Sequence, residues 1–83
     1  MKILHGEELI NRVFMFEPDA LVNVFKNEEL MAVLFKDDWE NGNFDHIRKV
    51  CRRYKPPETF EREEVPLIGI VINIRFTESE GDT

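Results

Sequence analysis

The chain has 83 residues, which suffice for one domain with a single core but not for two. It is 42% hydrophobic and 34% charged, proportions typical of a folded, soluble protein and not of a disordered one. Its longest apolar run is far shorter than the roughly 18 residues that a transmembrane helix needs, and no signal-peptide pattern opens the sequence. The single cysteine, Cys51, rules out an internal disulfide and suits a reducing compartment. These features predict a cytoplasmic protein without a membrane partner.

The net charge is −6, but the charge is unevenly distributed along the chain. Five of the 11 basic residues fall within residues 46–55, and all 17 acidic residues lie outside that stretch. The total argues against nucleic acid, because phosphate neutralisation supplies most of the affinity for it. A segregated basic surface can nevertheless attract a polyanion locally. The charge pattern therefore leaves two classes of partner open.

The first elements follow a short apolar lead-in at residues 2–4. Gly6 precedes Glu7 and Glu8, and acids in a first turn are typical of a helix N-terminus. The sequence therefore predicts a short helix there. The β-branched and aromatic residues at 13–16 predict that the chain then leaves the helix for an extended segment.

Residues 20–25 and 30–35 are two apolar runs separated by the polar residues 26–29. This pattern predicts a β-hairpin with a short loop. The alternative is one helix through residues 19–36, with Asp19 as its cap. We favour the hairpin because β-branched and aromatic residues dominate both runs.

The clearest helix is predicted for residues 43–54, with Asn43 as its cap. The acidic residues 37–42 before it predict a loop, in which Trp39 serves either as a lid over the core or as a contact anchor. The helix carries an apolar stripe at helical spacing, composed of Phe44, Ile47, Val50, Cys51 and Tyr54.

Residues 65–76 predict an inner strand, because no charge occurs before position 75 and β-branched residues dominate. One face of this strand carries the larger apolar side chains, which are Ile68, Ile70, Ile72, Ile74 and Phe76. Gly69 indicates a bulge or a close backbone approach. Residues 58–64 are interpreted as an acidic connector, and residues 77–83 as a frayed end. The order of elements predicts one small α+β domain over residues 1–83.

No arrangement typical of an active site or a metal site is recognisable. Cys51 lies on the apolar stripe, which indicates core packing, and His5 and His46 form no metal-binding spacing with it. The paired acids are sequence neighbours whose side chains point apart. No P-loop or dinucleotide-binding glycine pattern occurs. We therefore expect a non-enzymatic protein with no catalytic residue, metal or cofactor.

The basic residues of the predicted helix form two rows at helical spacing, and they are Arg48, Lys49, Arg52, Arg53 and Lys55. Such a face can hold phosphates, and arginine can do so with bidentate hydrogen bonds. The alternative is an ordinary solvated face that pairs with the acids of residues 58–64.

Three short patterns resemble the PUA family, and most of all the C-terminal PUA domain of TruB-type tRNA pseudouridine synthases. They are ILHGEELI at residues 3–10, the hairpin with ALVNVF and ELMAVL within residues 20–34, and IRF at residues 74–76. The resemblance implies a mixed-strand pseudo-barrel that binds structured RNA such as tRNA. It places His5 and Gly6 on the RNA-facing side, where a glycine backbone and a helix N-terminus can approach phosphate.

Added to our reading of the residues, the resemblance predicts a PUA-like pseudo-barrel with a short N-terminal helix and one longer helix before the last strand. The basic helix of residues 43–54 is not part of the family pattern, and the catalytic domain of those synthases is absent from this chain. The chain therefore corresponds to a stand-alone module or to an excised accessory domain of an RNA-modifying enzyme.

Two functions follow from these observations. The first is a non-catalytic RNA-binding accessory module that grips tRNA through His5, Gly6 and the five basic residues. The second is an acidic protein-interaction or inhibitor domain that engages a basic or nucleic-acid-binding protein, as the net charge favours. The sequence does not distinguish a monomer from a dimer, although exposed strand edges make a dimer reasonable.

Overall fold

The computed structural model of the chain describes residues 6–57 and 60–77. These residues form three helices and four strands. In chain order they are α1 (Gly6–Phe16), β1 (Leu21–Lys26), β2 (Glu29–Leu34), α2 (Lys36–Glu40), α3 (Asp45–Arg53), β3 (Glu61–Val65) and β4 (Gly69–Phe76). The α+β class predicted from the sequence is confirmed.

The four strands form one mixed sheet in the order β2-β1-β4-β3. The central strands β1 and β4 run parallel, with Leu21 opposite Val71 and Lys26 opposite Phe76. Each central strand also belongs to an antiparallel hairpin, β1 with β2 and β4 with β3. Among the described residues the sheet is open. The expectation of a closed pseudo-barrel, which came from the resemblance to the PUA family, was therefore wrong.

The hydrophobic core lies between one face of this sheet and the helices. The sheet contributes Val22 and Val24 from β1 and Ile72 and Ile74 from β4, all fully buried. The side chains that cover them from the helix layer include Ile10, Val13, Phe14, Trp39, Ile47 and Cys51. The three helices therefore lie on the same side of the sheet, and no helix among the described residues covers the opposite face.

The hairpin predicted for residues 20–25 and 30–35 is confirmed, and the alternative single helix is excluded. Its turn consists of Asn27 and Glu28, and Asn27 has a φ of 56°, a left-handed conformation that asparagine tolerates better than most residues. The pairing register shifts between Val24 and Phe25, so β2 contains an irregularity of the β-bulge type.

The first helix is longer than the sequence indicated. Residues 13–16, predicted to be extended, continue α1 to Phe16. Val13 and Phe14 lie on the same side as Leu9 and Ile10, so burying them against the sheet requires helical geometry. Packing here overrides the strand preference of β-branched and aromatic residues.

The segment between the hairpin and α3 also differs from the prediction. Residues 37–42 were expected to form a loop, but Lys36–Glu40 forms α2 and brings Trp39 into the core at 2% exposure. Trp39 therefore closes the core, as the lid interpretation had it. Asn43 does not cap α3, because the helix begins at Asp45 after Phe44 and has no side-chain cap.

The final hairpin replaces one long predicted strand. Residues 61–64, interpreted as part of a connector, form the edge strand β3 together with residue 65, and a turn separates this strand from β4. Leu67 and Gly69 adopt φ values of 72° and 107° in and after this turn, so Gly69 serves chain reversal. Ile68, predicted to be buried, lies in the turn and is 63% exposed. The strand β4 is an inner strand, as predicted.

Gly6, the first residue of α1, is buried where the helix meets the end of β4. A Cβ atom at this position would collide with the ring of Phe76 and approach the Cβ of Cys51 to 3.2 Å. Phe76 is fully buried. The missing side chain of Gly6 is therefore a packing requirement.

The substitution Gly6→Ala tests this requirement. Alanine favours a helix over glycine by up to about 1 kcal/mol, but overpacking a core costs about 1–3 kcal/mol. We expect a net loss of stability in urea unfolding. Shortening Phe76 to leucine should relieve the collision, so Gly6→Ala should cost less in the Phe76→Leu background. An equal cost in both backgrounds would contradict the packing role.

Candidate functional site

The five basic residues predicted to bind RNA divide into one that is enclosed and four that face solvent. The Arg48 side chain is 22% exposed, whereas that of Arg52 is 71% exposed. Lys49, Arg53 and Lys55 are also exposed, and they form no ion pair within the part of the chain that the structure describes. We call the four solvent-facing residues the basic row.

Arg48 joins all three helices of the helix layer. One guanidinium nitrogen donates to the Glu7 carboxylate on α1 at 2.6 Å, and the other donates to the backbone carbonyl of Trp39 on α2 at 2.8 Å. The guanidinium carbon lies 3.9 Å from the Trp39 ring centroid, within cation–π range. The Trp39 indole N–H in turn donates to Asn11 of α1 at 2.6 Å. Arg48 is thus occupied by internal contacts.

The second part of the predicted RNA surface lies at the start of α1. His5 lies outside the described residues. Gly6 is covered by Phe76, as described above, and Glu7 stands between it and the basic row. The Glu7 carboxylate contacts Arg48 and approaches Arg52 to 3.8 Å, so an acid separates the two parts of the predicted surface.

Cys51 is 4% exposed and packs within the core. Burial raises the pKa of its thiol to about 12, and the neighbouring Glu7 carboxylate acts in the same direction. The thiol is therefore protonated at neutral pH, and only the thiolate is nucleophilic. This agrees with the packing role inferred from the helical stripe.

The described residues contain no group of histidines, cysteines and acids that could hold a metal ion. None of the helices within residues 6–57 and 60–77 has the length and apolar character needed to span a bilayer.

The face of the sheet opposite the helices forms a second candidate surface, which we call the open face. Side chains alternate along a strand, so the neighbours of the buried Val22, Val24, Ile72 and Ile74 point away from the core. The residues of β2 and β3 that pair with these neighbours lie on the same face. The residues of the open face are therefore Leu21, Asn23, Phe25, Leu30, Val33, Glu61, Glu63, Val65, Val71, Asn73 and Arg75.

The open face changes from apolar to acidic across the strand order. Its β2 side carries Leu30 and Val33, which are 51% and 40% exposed, and Phe35 beside them is 48% exposed. Its β3 side carries Glu61 and Glu63, both exposed. The apolar patch and the acidic edge thus lie at opposite margins of one face of the sheet, with β1 and β4 between them.

Polar contacts link the two halves of the open face. In the centre, Asn23 of β1 donates from its side-chain amide to Asn73 of β4 at 2.9 Å. Arg75 lies 4.8 Å from the centroid of the Phe25 ring and 3.6 Å from the Glu61 carboxylate. These contacts restrict side chains in the middle of the face, which lowers the entropy cost of binding there.

The sequence analysis did not identify the open face as a site. One signal is present in the sequence, since residues 71, 73 and 75 of the last strand alternate with its larger apolar residues and include an asparagine and an arginine. The other half of the signal is the alternation in β1, where residues 21, 23 and 25 share this face, whereas the register shift interrupts the alternation in β2. It could not be used because only the pairing of β1 with β4 brings the two sets of residues together.

Comparison with known proteins gave no relative: no family model matches the sequence, and no curated protein or solved structure is significantly similar to it. The likeness to the PUA family therefore remains a resemblance in short motifs.

Arg48 offers a stability test. Hydrogen bonds to a charged group contribute about 1.5–3 kcal/mol when well buried, and solvent weakens those of a partly exposed pair, so we expect Arg48→Ala to lower the free energy of unfolding by about 2 kcal/mol. Lys49→Ala, on the exposed side of the same helix, should change it by no more than about 0.5 kcal/mol. Arg48→Lys should not restore stability, because one ammonium cannot reproduce the planar fork. Urea unfolding measures the stability of all three variants. Equal losses for Arg48→Ala and Lys49→Ala would contradict the role of Arg48 in joining the helices.

Proposed function

We propose that this protein is a non-catalytic interaction domain that engages a basic protein partner through the open face of its sheet. One observation carries the proposal: the β2 side of the open face is apolar and its β3 side is acidic, and no helix in the described part of the chain covers either. This is the function that the sequence leaves open as the alternative to RNA binding. The net charge of −6 agrees with it.

The apolar half supplies the surface whose burial would stabilise a complex. Exposed apolar patches on small proteins commonly mark interaction sites. Leu30, Val33 and Phe35 are each at least 40% exposed and lie next to one another. Burying apolar area yields about 25 cal/mol per Å² before the costs of association.

The acidic edge supplies selectivity. Glu61 and Glu63 outnumber Arg75, the basic residue of the open face, so the edge attracts cations. Rim charges of one sign speed the encounter with an oppositely charged partner and disfavour partners of like charge. The fitting partner therefore presents apolar side chains flanked by lysine or arginine, as a nucleic-acid-binding protein does.

The experiment is affinity capture with the wild-type chain, followed by titration of the purified captured protein. A double charge reversal, Glu61→Lys with Glu63→Lys, should weaken binding at least tenfold, and the wild-type affinity should fall as salt rises. The control is Glu40→Lys, an exposed acid on the helix layer, which should bind as the wild type does. Equal capture by the wild type and the double variant would contradict the proposal.

RNA binding is the second candidate, and the basic row favours it. Arg53 and Lys55 are exposed at the C-terminal end of α3, and the Lys26 amine lies 5.5 Å from the Tyr54 ring centroid nearby. This end of the molecule therefore combines cations with an aromatic ring. Gly6 and Arg48 are not needed by this version of the RNA proposal. A cytoplasmic location and a role in tRNA processing remain predictions that accompany it.

Titration with tRNA at several salt concentrations tests this candidate. Three or four phosphate contacts give a slope of about −3 in a plot of log affinity against log salt. The pair Lys49→Glu and Arg53→Glu should abolish binding, whereas Arg12→Glu on α1 should change it little. Absence of salt-dependent binding by the wild type would exclude RNA as the partner.

A further inference from the structure

The turn between β3 and β4 holds a leucine in a backbone conformation that leucine disfavours. The backbone N–H of Ile68 donates to the carbonyl of Val65 at 3.1 Å, which closes a β-turn with Pro66 and Leu67 at its two central positions. The φ of Leu67 is 72°, and a positive φ directly after proline is typical of a type II turn. That position favours glycine or asparagine, because a Cβ atom is strained there. Leucine at this position therefore lowers the stability of the fold.

The Leu67 side chain makes no packing contact that would offset this strain. It is fully exposed, and Ile68 beside it is also exposed. Neither residue belongs to the hydrophobic core that the described residues form. Strained backbone positions concentrate at functional sites, where the strained residue serves a contact or a reaction. A leucine that is both strained and solvent-facing therefore indicates a contact with another molecule.

Other exposed apolar side chains lie at the same end of the sheet. The parallel strands β1 and β4 both begin at this end, since Leu21 pairs with Val71. Helix α1 ends there, because a turn from Glu17 to Ala20 connects it directly to β1. Strand β2 also ends there, antiparallel to β1. Five of the eight large apolar side chains exposed in the described part of the chain therefore form what we call the apolar end: Met15, Phe16, Phe35, Leu67 and Ile68.

We propose that the apolar end, with Leu67 at its tip, inserts into an apolar pocket of the basic protein partner. The inference deepens the function proposed above and rests on it for the class of partner. It adds a contact that the open face does not include, and Phe35 connects the two surfaces.

Charge selects a basic protein as the occupant. Arg62 contacts both Glu17 at 3.1 Å and Glu64 at 3.9 Å, so one cation serves two carboxylates beside the turn. A pocket rimmed by lysine or arginine complements this excess of acid. Anionic lipid headgroups would be repelled by it, and a second copy would bring two acidic ends together. The charged residues around the apolar end are four acids and two bases, namely Glu17, Asp19, Asp37, Glu64, Lys36 and Arg62.

The turn is organised for insertion before any partner arrives. Proline fixes its own φ, so Pro66 restricts the backbone directly before Leu67. The hydrogen bond from Ile68 to Val65 and the antiparallel pairing of β3 with β4 hold the turn from both sides. A side chain that is presented in one direction loses less entropy on binding than one on a mobile loop.

The substitution Leu67→Asn separates stability from binding. Asparagine accepts a positive φ and carries little apolar surface, so we expect the midpoint of urea unfolding to rise. The affinity for the purified captured protein should fall at least tenfold. Leu67→Met keeps an apolar side chain and should recover most of the lost affinity. The matched control is Phe60→Asn, which removes an exposed apolar side chain at the opposite end of β3 and should bind as the wild type does.

The two changes of opposite sign distinguish a binding residue from a merely structural one. A urea midpoint that does not rise in Leu67→Asn would overturn the inference without reference to any partner. Unchanged affinity in Leu67→Asn would also overturn it, and the proposed function would stand if reversing Glu61 and Glu63 still weakened binding. Binding that depends on Leu67 but not on Glu61 and Glu63 would instead contradict the open face as the contact.

Two further measurements test other occupants of the apolar end. Co-sedimentation with phosphatidylcholine vesicles tests a lipid surface, and sedimentation equilibrium over a concentration series tests a second copy. We expect neither vesicle binding nor self-association to differ between the wild type and Leu67→Asn. Loss of either one in Leu67→Asn would assign the apolar end to that occupant and overturn the inference. A wild-type chain that captures no basic protein would overturn both proposals.

Discussion

The parallel pairing of β1 with β4 is the constraint on which the rest of the molecule depends. Parallel neighbours cannot be joined by a tight turn, so the chain between the two hairpins must pass over a face of the sheet, from the β2 edge to the β3 edge. The chain makes this crossing on one side only, where α2 and α3 join α1 in covering the buried valines and isoleucines. Within residues 6–57 and 60–77, no helix lies over the other face of the sheet.

Within the helix layer, the Arg48 guanidinium holds the helices together, as apolar contacts do elsewhere in the core. The short helix α2 has five residues and too few turns to be stable by itself. Trp39 fixes it to the core, and Arg48 holds the Trp39 carbonyl, the Trp39 ring and Glu7 at once. The arginine that looked best suited to phosphate on a helical wheel is therefore the one that the fold uses itself. Of the five basic residues, only the four of the basic row therefore face solvent.

Local sequence patterns predicted several of the helices and strands, whereas pairing between distant residues determined the strand order and the contacts of Arg48. The hairpin, the α3 stripe and the inner strand around Ile72 follow from composition and periodicity, since each is encoded within a dozen residues. Charged β3 could not be found in this way, because its strand character comes from pairing with β4 and not from its own residues. The internal contacts of Arg48 could not be predicted either, because its partner Glu7 lies 41 residues away in sequence. The open face required the strand order, which no local pattern contains.

The central pair also determines how the chain reaches its structure. Asn23 and Asn73, which face each other across it, are 50 residues apart in the chain. Each hairpin can form early from neighbouring residues, but neither has a hydrophobic face that it can bury by itself. The entropy of closing so long a loop is lost before the central contacts repay it. Folding is therefore expected to be slow for a protein of this size, with the docking of two preformed hairpins as its rate-limiting step.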